Sequence, residues 1–77
     1  MATDKRFTEA VISVFKEMLE EGGVSYRDIE HRSGVNRGTI SRRLSGQHSL
    51  SVDALMELCA GAGLDAGEVL REAYKRI

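Results

Sequence analysis

The 77 residues contain no proline, no tryptophan and a single cysteine, and aromatic residues make up 5% of the chain. One cysteine excludes an internal disulfide, and with two histidines it cannot complete a four-ligand Cys/His zinc site, so neither a metal nor another cofactor is expected. No apolar run approaches the roughly 18 residues that a membrane span requires. The charged N-terminus lacks the apolar core of a signal peptide, so a cytoplasmic location without a membrane partner is the expectation. An excess of either charge is also missing: 11 Lys and Arg stand against 12 Asp and Glu, for a net charge of −1. The whole-chain balance therefore does not announce a polyanionic partner.

What is present describes a small globular unit. Hydrophobic residues at 42% and charged residues at 30% exclude a disordered tail, and the length fits one domain over residues 1–77. Eight glycines punctuate helical periodicity. From about Asp4 to Glu21, the residues Phe7, Val11, Val14, Phe15 and Met18 recur at helical spacing. Ile12 and Leu19 flank that stripe, either widening the core face or forming a contact patch. Ser25, Asn36 and Ser51 are predicted to cap the helices that follow, with Asp28 near the positive end of its helix dipole. Those helices are bounded by Ser33-Gly34, by Gly46, and by Gly61 to Gly63 in turn. Asp65-Ala66-Gly67-Glu68 has the spacing of a capping box for a last helix, whose apolar positions are Val69, Leu70, Ala73, Tyr74 and Ile77. The expected fold is all-α, a compact five-helix domain with no strand.

The most informative stretch is VSYRDIEHRSGVNRGTISRRLSG, Val24 to Gly46. Ile29 anchors its first short helix, Gly34 permits a sharp turn, Val35 plugs that turn, and Ile40 and Leu44 anchor the second helix. Arg37, Gly38, Ser41, Arg42 and Ser45 then face outward, on a surface without an acid that suits a phosphate-lined groove. This stretch resembles the helix-turn-helix of the lambda-repressor/Cro-like DNA-binding family. SVDALMELCAGAGLDAGEVL is similar to that family's fourth helix, its turn and the start of its fifth, so Val24 to Leu70 follows the pattern and Phe7 to Leu19 fits its first helix. Two positions depart from it. Glu30 stands where the family usually has alanine, and Arg43 where it usually has an apolar residue. The two are either a compensating ion pair or two separate surface charges.

Charge distribution agrees with the resemblance. Ser25 to His48 carries five arginines against Asp28 and Glu30, a local +3, while the remainder carries −4. The plainer reading is an arginine-rich solvated face. The resemblance implies that the helix opening at Arg37 enters the major groove of double-stranded DNA. Arg37 and Arg42 are then candidates for guanine contact, with phosphate as the alternative for each. Gly38 allows close approach to a base or is a tolerated surface glycine, Ser41 lies on the same face, and Asn36 either reads adenine or caps its helix. Ser25, Tyr26, Thr39 and Ser45 occupy positions where the family meets phosphates, and Gln47 and His48 follow on the same side. His48 in a loop is otherwise a solvated side chain.

No catalytic constellation, phosphate-cradling loop or metal spacing is present, so an enzyme is not expected. Cys59 reads as a small core residue and Glu20-Glu21 as a helix-end charge run. The chain ends just beyond its last helix, which implies a reader of DNA without a sensing domain: a repressor of the phage or bacterial kind. A homodimer on a palindromic operator is expected, with Val69 and Leu70 in the core and Tyr74 and Ile77 left for the partner. The alternative is an antitoxin or other protein-interaction module on the same fold, with a protein partner in place of, or besides, the operator.

Overall fold

Ser25, Asn36, Ser51 and Asp65 each accept a backbone N–H in the first turn of the helix they open, from Asp28, Gly38, Ala54 and Gly67 at 3.1, 2.7, 3.0 and 3.0 Å. These caps define the starts of four of the five helices in the computed structural model, which describes residues 5–47 and 49–77. The order is α1 (Lys5–Gly22), α2 (Tyr26–Ser33), α3 (Arg37–Arg43), α4 (Val52–Ala62) and α5 (Ala66–Tyr74), with no strand among the described residues. The reciprocal capping box expected at Asp65 and Glu68 forms at Ser25 and Asp28 instead, where the Asp28 carboxylate takes the Ser25 N–H at 2.8 Å. At α5, Asp65 turns its carboxylate to Gly67, and the Glu68 N–H is bonded to the Asp65 carbonyl.

The Ser25 N–H and hydroxyl together hold the Asp28 carboxyl below the usual carboxylate range. A depressed folded-state value means stability that is present above the unfolded value, about 4, and lost as pH falls through the folded one. Asp28→Asn is therefore expected to lower Tm at neutral pH and to shrink the loss of Tm between neutral pH and pH values below about 4. Thermal melts across that range provide the check.

The core is one cluster in which Phe15, Ile29, Ile40, Leu58, Val69 and Ala73 are fully buried. Ile12 and Leu19 belong to it, at 6% and 4% exposure, so they widen the core face and form no contact patch. Met18 and Phe7 pack only at its margin. Leu70, expected inside, is exposed. α5 turns Val69 and Ala73, one helical turn apart, onto α1 and α4, and the next residue after Val69 is rotated by about 100° away from that face. The α5 end is tied to α1 by Arg76, whose two amino groups meet the Glu17 carboxylate at 2.6 and 2.7 Å, and by Tyr74 edge-on to Phe7.

Gly61 lies within α4 rather than after it, and the α4 cap is Gly63. A Cβ at Gly61 would come within 2.9 Å of Ile29 Cγ2, 3.1 Å of the Ile29 carbonyl oxygen and 3.1 Å of Ser33 Cβ. The missing side chain lets α2 lie directly on α4. Cys59 beside it is buried, and burial, then Asp65, pushes its thiol up to about 11, so it stays protonated.

Candidate nucleic-acid interface

The turn between α2 and α3 is set by local bonds. Gly34 takes a left-handed φ of 77° and donates its N–H to the Glu30 carbonyl at 2.8 Å. The Ser33 hydroxyl donates to the Ile29 carbonyl at 2.6 Å and accepts the Val35 N–H at 3.1 Å. Val35 packs against the core, as expected, and Ile40 and Leu44 hold α3 to it. α3 is shorter than expected and ends at Arg43. The Ser45 hydroxyl and N–H both bond the Arg42 carbonyl, at 2.7 and 3.2 Å, taking up the acceptor that a further helical turn would use.

With its inner residues fixed, α3 presents Arg37, Gly38, Ser41 and Arg42 to solvent, preceded by Asn36 and followed by Ser45 and Gln47, all exposed. His48 lies outside the described residues. Asn36 is committed to capping through Oδ1, and a Cβ at Gly38 would sit 3.0 Å from that same oxygen. Gly38 therefore has a structural use in this tight cap. Arg42 Nη2 donates to the Thr39 hydroxyl at 3.3 Å, which draws the side chain back along the helix. Thr39 itself is half-buried, and the Ser41 hydroxyl has no partner among the described residues.

On the flank, the Ser25 N–H and hydroxyl are both engaged by Asp28, and the Ser45 hydroxyl by Arg42 and Gln47. Tyr26 is half-buried, and desolvation raises its phenol pKa, which keeps it a neutral hydrogen-bond donor. Near the C-terminus, Tyr74 and Ile77 are exposed at 72% and 59%.

Glu30 and Arg43 do not pair with each other. Glu30 reaches across the turn to Arg37, accepting its backbone N–H at 3.0 Å and pairing by charge with its guanidinium, 3.1 Å from Nε. Arg43 extends to Glu57 on α4 at 3.1 Å. Both acids sit at the edge of the helix-turn-helix, and both pairs are partly exposed, so each contributes at most about 1 kcal/mol to folding. Sequence reasoning missed Glu57 and Gly61, because the first acts on a residue distant in the chain and the second through a close approach of two helices, and it missed the local turn bonds of Ser33. It also missed Val52 and Met56, which are exposed at 75% and 54% and share an apolar groove with Phe7, Leu50 and Leu70.

No group of side chains able to hold a metal ion occurs among the described residues, and no described helix is long and apolar enough to cross a membrane. No curated protein and no solved structure matches the chain. The helix-turn-helix family profile matches residues 15–69, from the middle of α1 into α5, and so covers the turn, the exposed face of α3 and the helices that support them. On that match and this geometry, the chain belongs to the lambda-repressor/Cro-like helix-turn-helix family of DNA-binding regulators.

Proposed function

We propose that the protein is a sequence-specific repressor that reads an operator in double-stranded DNA as a homodimer. The observation that carries this reading is the outer face of α3, where Arg42, Ser41 and Arg37 are exposed on a helix without an acid while the rest of the chain is acidic. α3 lies in the major groove with Arg42 and Arg37 toward guanine edges, and with Gly38, Ser41 and the free amide of Asn36 beside them. Thr39 and Tyr26 meet phosphates most directly. Ser25, Ser45 and Gln47 line the flanks, where the bonds already made by Ser25 and Ser45 reduce what each can offer, and His48 is a further phosphate candidate by its place in the sequence. Occupation of the operator suffices for repression, because it denies the site to polymerase.

One recognition helix covers few base pairs, so two copies on adjacent half-sites supply the discrimination. The face for the second copy takes in Leu70 and Tyr74, with Met56 and Val52 extending it across α4 and Ile77 at the chain end. The same apolar groove favours a second reading, a partner protein of different sequence bound by the α4–α5 face, as in an antitoxin.

Selection of bound sites from a random DNA library tests the proposal. The expected product is a near-palindrome with half-site centres roughly 34–36 Å apart. Affinity should fall steeply with added salt as counterions are released from the phosphates. A library that yields no preferred sequence would overturn the reading. Leu70→Glu is expected to lower Tm only modestly, because Leu70 is already 38% exposed, while abolishing cooperative occupation of the two half-sites. Sedimentation and footprinting on full and half operators measure this, and unchanged cooperativity would move the partner face elsewhere.

A further inference from the structure

We propose that Glu30 is a positioning residue for base recognition: it clamps Arg37 so that the outer amino groups of the guanidinium are aimed at a guanine, and it thereby sets preference at one base position. This rests on the reading of α3 as the recognition helix.

A carboxylate beside the start of a groove-binding helix is unfavourable for approach to phosphates, so its presence calls for a compensating use. The geometry supplies one. A single carboxylate bridges the backbone and the side chain of one residue: Oε2 accepts the Arg37 backbone N–H at 3.0 Å, and Oε1 forms an ion pair with the guanidinium, 3.1 Å from Nε. Closing that ring from both ends restrains the Arg37 side chain before any ligand arrives, so less rotamer freedom is lost on binding. The guanidinium is a planar fork. Nε is the guanidinium nitrogen that meets Glu30, the Nη1 and Nη2 groups have no partner among the described residues, and the Arg37 side chain remains 54% exposed. Two parallel N–H donors are the complement of guanine O6 and N7.

Glu30 also acts by charge. It partly neutralises Arg37, and it occupies the first backbone N–H of α3, while Asn36 occupies the next one at Gly38. A phosphate approaching the helix start therefore meets a carboxylate and two N–H groups already used. An arginine whose attraction for phosphate is reduced, while its outer donors stay free and fixed in direction, is biased from backbone toward base. Arg42 has no such acid. Among the described residues its side chain bonds only a neutral hydroxyl, so its charge remains available to the nucleic acid.

The test is site selection from random DNA with the full chain and with Arg37→Ala, Glu30→Gln and Glu30→Asp, together with affinity for unrelated DNA and Tm. Arg37→Ala should erase the preference at one position. Glu30→Gln removes the charge and one of the two acceptors. It should lower the preference for guanine at that same position by about three- to tenfold, part of the full bidentate discrimination, and raise affinity for unrelated DNA. Glu30→Asp retains the charge but is too short to keep both the backbone bond and the ion pair. It should weaken the preference without raising affinity for unrelated DNA. Combined with Arg37→Ala, Glu30→Gln should change nothing further at that position. The inference is overturned if Glu30→Gln strengthens binding to every sequence by one factor, or shifts only Tm, with base preference intact. A wild-type motif that Arg37→Ala leaves unchanged would overturn it as well. A wild-type chain that selects no motif would instead remove the underlying reading of α3, and this inference with it.

Discussion

Gly61→Leu is expected to lower stability by about 3 kcal/mol or more, at the upper end of what overpacking costs. For a chain of this length total stability is on the order of 4–11 kcal/mol, so a large part of the molecule should be unfolded on mild heating. The reason is the contact between α2 and α4. The first atom added at Gly61 meets Ile29 Cγ2 at 2.9 Å, and it also meets the Ile29 carbonyl and Ser33 Cβ, both at 3.1 Å. Ile29 is fully buried and β-branched, and its carbonyl already accepts the Ser33 hydroxyl, so neither can swing aside. Gly61→Ala should be milder, at roughly 1–2 kcal/mol, because relief of a helical glycine, about 1 kcal/mol, offsets part of the overlap. Ala60→Leu, on the exposed side of the same helix turn, should stay within about 0.5 kcal/mol of the parent. Denaturant melts of the three variants decide the matter. Since α2 carries Glu30 and leads into the Gly34 turn, any Gly61 variant that still folds should also bind DNA less tightly.

Arg42→Ala should weaken binding to the selected operator by roughly 1–3 kcal/mol and relax preference at one base position, while binding to unrelated DNA falls far less. Thr39→Ala should act differently. A hydroxyl that meets phosphate carries no sequence information, so most of its loss should fall on all sequences alike, with a smaller added loss at the base that Arg42 reads. The 3.3 Å bond from Arg42 Nη2 to Thr39 adds a coupling between them. Removing Thr39 also frees Arg42, so the double substitution should cost measurably less than the two single costs combined. Binding titrations on operator and scrambled duplexes at one fixed salt concentration measure these effects. An Arg42→Ala chain that loses the same factor on both duplexes would assign Arg42 to phosphate. Strict additivity would show that the two side chains act apart.

Much of the helix-turn-helix was legible before any tertiary structure, because its information is local. Glycine at the turn, an apolar plug after it, and Ile40 and Leu44 at helical spacing dictate which side of α3 is left outside. Where local reading failed, the deciding partner lay elsewhere in the chain. Glu30 and Arg43 differ from the family's usual residues and carry opposite charges, which makes them natural partners on paper. In the folded molecule Arg37 closes a ring with Glu30 across the short turn, and α4 brings Glu57 to Arg43. Periodicity likewise left Ile12 and Leu19 of α1 open between core and contact patch. Ile12 and Leu19 lie at the edge of the stripe, and only the packing of several helices around α1 buries those edges.

By itself the sequence determined the helices, their caps at Ser25, Asn36, Ser51 and Asp65, the Gly34 turn and the family. All of these depend on spacings within a few residues, where backbone geometry and hydrogen bonding leave few choices. Tertiary structure alone decided that Gly61 is a crossing point and not a helix stop, and that Leu70 faces outward while Ala73 is inside. It also decided that the acid at position 30 restrains the first arginine of α3. Each of these depends on the distance and angle between elements, which follow from how several apolar faces fill a common core and are encoded in no single stretch of chain.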